Sequence, residues 1–303
     1  MLWSEKYRPS LLSGIKGQEH FVMDAENWVE LRNMPNVLFY GSSGTGKTAA
    51  GLALAKTLLG ENALDNFFEI NASDDRRLET VRTRIKEIAQ SGKLGDVPFR
   101  IILLDEMGGM TNDAQNSLKR IMERYSENVR FIITCNDRTK IIFALQSRCA
   151  NYHFKPLSLS VVESILFDIL EKENIPNRPS KTEMQGFIGV YGGDLRRAIT
   201  ELQAAISSNR PLNVQVQEGL QEYEDIVNNI INKNTDVLTT LHNLLYDGRT
   251  VKDICVSLHD VVISATLDNN MKYKFLRVIG ESEYRSTTMT PRVLVSWMVG
   301  QLM

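Results

Sequence analysis

One octapeptide in this 303-residue chain has the composition of a polyphosphate cradle. Gly41-Ser42-Ser43-Gly44-Thr45-Gly46-Lys47-Thr48 fits the pattern Gly-x-x-x-x-Gly-Lys-Ser/Thr in full. Glycines let successive backbone N–H groups curl around phosphate oxygens, and a helix starting at the end of the loop adds its positive dipole end. The Lys47 ammonium neutralises the β- and γ-phosphates of a nucleoside triphosphate, and the Thr48 hydroxyl ligates Mg²⁺. A Gly/Ser loop with no ligand is the alternative for such a stretch. Its context argues against that: the apolar run Val37-Leu38-Phe39-Tyr40 precedes it and a helical stretch over 48–59 follows.

Phosphate chemistry needs a second element to hold the metal and prepare water. Arg100-Ile101-Ile102-Leu103-Leu104 reads as a strand and ends in Asp105-Glu106. Two adjacent carboxylates thus arrive at a strand's C-terminal edge, where open α/β sheets bind ligands. Asp105 is expected in the Mg²⁺ shell and Glu106 against the attacking water. A third strand, Arg130-Phe131-Ile132-Ile133-Thr134, runs through Cys135 into Asn136, whose amide could hydrogen-bond the γ-phosphate or the water. Asn also starts turns, and without the other two elements that reading would be preferred.

These residues need a parallel sheet to hold them. Phe67-Phe68-Glu69-Ile70 and Asn151-Tyr152-His153-Phe154 complete the set of apolar runs, with helical stretches over 78–91 and 112–125 between them, the alternation of a sheet with crossover helices. After Pro156 the strand signals stop. The remainder reads as helices broken at Ile175-Pro176-Asn177, Tyr191-Gly192-Gly193 and Asn209-Arg210-Pro211. Three domains are expected: a nucleotide-binding core over 1–155, a small helical domain over 156–216 and an all-helical domain over 217–303.

Composition excludes several classes. Apolar residues at 43% and charged residues at 24% are those of a globular protein, and no unbroken apolar run would span a bilayer. The start Met1-Leu2-Trp3-Ser4-Glu5-Lys6 lacks the apolar core of a secretory signal, so a cytoplasmic location is expected, with no membrane partner. Cys135, Cys149 and Cys255 and the four histidines are scattered, which points away from a structural metal centre. With a net charge of −2, any DNA-binding face must be local.

Beyond the phosphate loop stand Trp3-Ser4-Glu5-Lys6-Tyr7-Arg8-Pro9, Met34-Pro35-Asn36-Val37-Leu38-Phe39-Tyr40-Gly41 and Asn71-Ala72-Ser73-Asp74. Gln146-Ser147-Arg148-Cys149 and Gly193-Asp194-Leu195-Arg196-Arg197-Ala198 follow, with Tyr284-Arg285 as a weaker match. In these segments and their order the chain resembles the small subunits of replication factor C, clamp loaders of the AAA+ class. The resemblance implies an AAA+ α/β core, a helical lid and a helical collar that mediates oligomerisation. It also implies ATP and Mg²⁺ as ligands, a large subunit and further small subunits as partners, and a sliding clamp opened on primer-template DNA. Tyr7, Arg8 and Pro9 would flank the adenine. Arg148 would be an arginine finger reaching the γ-phosphate of the adjoining subunit, and Arg196 a sensor on the lid facing its own phosphate. Without the resemblance, Arg148 reads as an ordinary salt-bridged surface arginine.

The family's DNA face would fall on Arg76, Arg77, Arg82, Arg84 and Lys86. Of these, Arg82 and Lys86 at i and i+4 are the best phosphate contacts, the alternative being a solvated face paired with Glu79 and Glu87. Three departures stand out. Ser42-Ser43 replace two prolines, Lys16 replaces an apolar residue near the base, and Met107-Gly108-Gly109 follow the acidic pair, where two glycines at a helix start would cost about 1 kcal/mol each. The rival reading is an AAA+ remodelling motor that threads a polymer. It is weakened because 74–98 carries no Phe, Tyr or Trp to grip one, and intact Lys47, Asp105 and Glu106 argue against a non-hydrolysing subunit.

Overall fold

In the computed structural model the described residues are 1–72, 78–189, 191, 193–212 and 214–303, the side chains of 78–82 and 214–220 excepted. They form two compact units, Met1–Pro211 and Leu212–Met303.

In the first unit, among the described residues, β1 (Val37–Tyr40), β2 (Phe67–Asn71), β3 (Arg100–Asp105), β4 (Val129–Cys135) and β5 (Ala150–His153) make one parallel sheet in the order β2-β3-β4-β1-β5. The helices of this unit are α1 (Trp3–Lys6), α2 (Glu19–Glu30), α3 (Lys47–Leu59), α4 (Ala63–Asn66), α5 (Leu78–Gln90), α6 (Asn112–Arg124) and α7 (Phe143–Gln146), then α8 (Leu159–Lys172), α9 (Lys181–Gly189) and α10 (Leu195–Ser207).

The middles of the central strands are apolar because both faces are covered. On β3, Ile102 and Leu104 join a cluster with Ile85, Ile88, Leu118 and Ile121 of α5 and α6. Ile101 and Leu103 point the other way, to Phe21 of α2 and Ala50 and Leu54 of α3. Each such side chain is essentially inaccessible, and burial of an Ile or Leu stabilises by roughly 1.5–3 kcal/mol. The helices therefore hold the C-terminal edge of β1, β3 and β4 in a fixed register, with Phe39 opposite Thr134 and Leu104 opposite Ile133.

The two glycines after the acidic pair do not open a helix. Met107–Gly109 form a single 3₁₀ turn, and α6 begins later, at Asn112, where the Thr111 hydroxyl accepts from the Ala114 N–H. The expected cost of glycine in a helix start therefore does not apply.

The second unit is all-helical over its described residues: α11 (Val214–Ile231), α12 (Asp236–Tyr246), α13 (Val251–Ser264), α14 (Asn269–Arg285) and α15 (Pro291–Leu302). One core joins them, including Ile226, Leu241, Leu258, Ile279 and Met298. The start of α13 is fixed by a reciprocal cap between Thr250 and Asp253, and Arg285 packs its guanidinium over the Trp297 ring at 4.5 Å.

Candidate active site

A cavity of about 460 Å³ lies at the C-terminal edge of the sheet, inside the first unit. Its floor is the loop between β1 and α3, which contributes Ser43, Gly44, Thr45, Gly46, Lys47 and Thr48 to the lining. Gly41 and Ser42 stand behind it and hold the loop's shape. Gly41 has φ +145°, and a Cβ there would meet the Phe154 carbonyl oxygen at 2.1 Å, so only glycine fits. Gly46, with φ +92°, would present an added Cβ to open space, with no atom within 4 Å. That open hollow beside backbone N–H groups is the shape a phosphate needs.

Lys47 is buried, and its ammonium donates to the Gly41 and Ser42 carbonyls at 2.8 Å each. Burial lowers its pKa from the ordinary 10.5. Cys135 and Asp105 oppose that shift, and the nearby Arg196 guanidinium adds to it. The Cys135 thiol behind it is pushed up to about 11 by burial and stays protonated at neutral pH.

The acidic pair is held by β4. Asp105 ends β3, and the Thr48 hydroxyl stands 3.0 Å from each of its carboxylate oxygens. Thr134 of β4 donates to Asp105 Oδ1, while its own oxygen accepts from the Glu106 N–H at 3.1 Å. Glu106 lies in the left-handed region at φ +56°, a conformation uncommon for a residue with a Cβ. This turn directs Glu106 into the same lining as Asp105, with Asn136 beside it after β4. The oxygen donors of Thr48 and Asp105 converge as a hard divalent cation such as Mg²⁺ requires, and the cradle with its lysine suits a triphosphate. The residues present therefore fit Mg-ATP.

The upper part of the cavity is lined by Tyr7, Arg8 and Pro9, by Ile165 and Ile169 of α8, and by Arg196 and Ile199 of α10. Tyr7 is fixed from the side: its hydroxyl donates to Glu173 Oε1 at 2.7 Å, the same oxygen that accepts from Lys6 Nζ at 2.7 Å. Arg8 pairs with Glu5 at 2.8 Å. Lys16 also lines the cavity and pairs with Asp168 of α8 at 2.7 Å.

The structure thus gathers most of the residues expected at the nucleotide site into one lining. Arg148 stands elsewhere. Just past α7, it pairs with Glu123 of α6 and borders a separate hollow of about 540 Å³ with Leu31 and Arg130. Lys86 is half-buried and Arg84 exposed on α5, whereas Arg76 and Arg77 and the side chain of Arg82 lie outside the described residues. Sequence reading missed Thr134, Gln18, Glu173 and Asp168. Thr134 had a local signal, being the polar residue that ends an apolar strand. Gln18, whose amide donates to the Lys155 carbonyl at 2.9 Å, Asp168 on α8 and Glu173 just past its end had none.

Among the described residues no group of three His, Cys, Asp or Glu side chains could hold a metal, and no helix is long and apolar enough to cross a membrane.

Residues 37–157 match the ATPase family associated with various cellular activities (AAA), and residues 221–288 match the replication factor C C-terminal domain. The replication factor C small subunit of Archaeoglobus fulgidus is 36% identical over 294 residues, 94% of this chain and 92% of that one. That of Thermofilum pendens is 39% identical over 295 residues, 94% of this chain and 90% of that one. Among solved structures, the Thermotoga maritima RuvB Holliday junction branch migration motor superposes with a TM-score of 0.56 at 15% identity, covering 83% of this chain and 85% of that one, which shows a shared fold. With both halves matched and the relatives covered nearly end to end, the chain belongs to the replication factor C small subunits, AAA+ ATPases that act as clamp loaders in DNA replication.

Proposed function

We propose that this chain binds Mg-ATP in the cavity above β1, β3 and β4 and hydrolyses it only when an adjoining subunit completes the site. The observation that carries this reading is the meeting of Thr48 with both oxygens of Asp105 beside the buried Lys47. Thr48 and Asp105 would hold a Mg²⁺ ion there, whose charge would offset the negative charge developing on the transferred group. Lys47 exchanges its carbonyl partners Gly41 and Ser42 for phosphate oxygens. Glu106 accepts a proton from water and orients it, and Asn136 hydrogen-bonds the γ-phosphate or that water. Tyr7, Arg8 and Pro9 flank the base, and Arg196 on the helical lid over 156–216 contacts the phosphates of its own subunit.

Arg148 lies outside its own cavity, which suits a finger supplied in trans. Such an arginine raises hydrolysis by roughly a thousandfold or more. The segment over 217–303 serves as the collar through which a large subunit and further small subunits assemble. The work of the ring is to open a sliding clamp on primer-template DNA in the cytoplasm, with Arg82 and Lys86 following the phosphate backbone.

The test is a reconstitution. The purified chain alone hydrolyses ATP weakly, and adding the large subunit, the sliding clamp and primed DNA stimulates turnover strongly. No stimulation, or stimulation by an unfolded polypeptide instead, overturns the reading that an adjoining subunit, the clamp and DNA complete the site. In the stimulated assembly Arg148→Ala suppresses hydrolysis and leaves nucleotide binding intact.

A further inference from the structure

We infer that Glu123 is the positioning residue for Arg148, turning its guanidinium so that two parallel N–H donors face the phosphate of an adjoining subunit. The inference rests on reading Arg148 as the finger and adds what aims it. Glu123 sits in the last turn of α6, and Arg148 follows α7, where its own N–H bonds the Leu145 carbonyl at 3.0 Å. Arg148 Nε donates to Glu123 Oε1 at 2.9 Å, and Nη2 donates to the same oxygen. Nη1 donates to the Ala144 carbonyl at 2.8 Å.

A guanidinium carries five N–H donors in one plane. Three are used here, and those on Nε and Nη2 belong to its side edge. The two that remain, one each on Nη1 and Nη2, form the end fork, whose spacing suits two oxygens of a phosphate. Glu123 and Ala144 therefore fix the plane of the group and leave its phosphate-binding edge open.

The pair is too exposed to hold the fold together: the two side chains are 34% and 49% accessible, and ion pairs so placed add little stability. Its surroundings are those of a surface meant to be covered. Phe143, five residues before the arginine, is 80% exposed, and Leu31 on the border of the same hollow is 76% exposed. Large apolar side chains around an arginine are the composition of a protein interface. The occupant is the adjoining subunit of the ring, whose nucleotide supplies the phosphate.

The experiment uses the full assembly with the large subunit, clamp and primed DNA, carrying Glu123→Ala, Glu123→Gln, Arg148→Ala or the Ala/Ala double variant in this subunit. Glu123→Ala lowers kcat about tenfold or more with KM for ATP unchanged, since misaimed groups lose rate and not ground-state binding. Glu123→Gln, whose amide oxygen accepts the same two hydrogen bonds, restores most of the rate. The double variant is no slower than Arg148→Ala alone, because the two residues act as one unit. If Glu123→Ala is as fast as the parent or faster while Arg148→Ala is slow, the positioning role is wrong. If Arg148→Ala itself turns over normally, the finger reading fails and takes this inference with it.

Discussion

The Thr48 hydroxyl lies 3.0 Å from both carboxylate oxygens of Asp105, linking the first turn of α3 to the last residue of β3. The contact exists because β4 stands between β1 and β3 and fixes their ends in register, with Thr134 clamping Asp105 from the side. The chemistry expected of each residue depends on that geometry.

Asp105→Asn keeps a side chain able to meet Thr48 and removes the charge that a divalent cation needs. The Mg²⁺ concentration for half-maximal hydrolysis rises by about 10–100-fold, the usual effect of damaging a metal site. A Mg²⁺ titration of the stimulated ATPase reads this directly. An unchanged midpoint removes Asp105 from the metal shell.

The lowered pKa of Lys47 gives opposite pH trends for binding and for stability. A lysine whose folded pKa lies below its unfolded 10.5 binds fewer protons folded than unfolded in that window, so the chain without nucleotide gains stability from this group as pH rises towards 10.5. Nucleotide affinity falls over the same range as the ammonium is lost. Denaturant melts and equilibrium binding compared between pH 7 and 10 reveal both slopes, and Lys47→Met abolishes both. Parallel slopes in the parent protein would contradict the assignment.

Gly41 and Gly46 respond differently to alanine. At Gly41 the new Cβ is driven 2.1 Å from a backbone oxygen at φ +145°, which costs about 3 kcal/mol or more and lowers Tm by several degrees. At Gly46 there is room, and left-handed strain alone costs about 1–2 kcal/mol. There the larger effect falls on ATP binding, because the methyl group occupies the phosphate hollow. Thermal melts with and without ATP separate the two, and equal melts for both variants would show that the loop rearranges.

Removing the Glu173 carboxylate frees Tyr7 and Lys6 together. Glu173→Ala weakens ATP binding about fivefold through the mobility of Tyr7, with little change in Tm, since the ion pair is exposed. The hydrogen bonds from Lys6 and Tyr7 hold the Glu173 pKa below the ordinary 4.5. The clasp's contribution is therefore present above that ordinary value and is lost as pH falls through the lowered one. Titration with a fluorescent ATP analogue checks the affinity, and an unaltered Kd would make the clasp irrelevant to the base.

Contiguous residues carried the local chemistry of this protein. The phosphate loop, the acidic pair and the five apolar runs were legible because each is a short segment whose pattern answers to its own surroundings: backbone N–H groups around an anion, or a strand buried on both faces. Helix α2 escaped the sequence reading because only Phe21 and Ala25 of its twelve residues are buried, too sparse a stripe to stand out. Tertiary packing alone decided the rest. Tyr7 meets Glu173 across 166 positions and Lys16 meets Asp168 across 152, and Arg148 finds Glu123 across two helices. No spacing rule links such partners, because their proximity is set by how α6, α7 and α8 pack within the first unit. The sequence named the groups that handle phosphate, and the packing of helices against the sheet determined where each of them points.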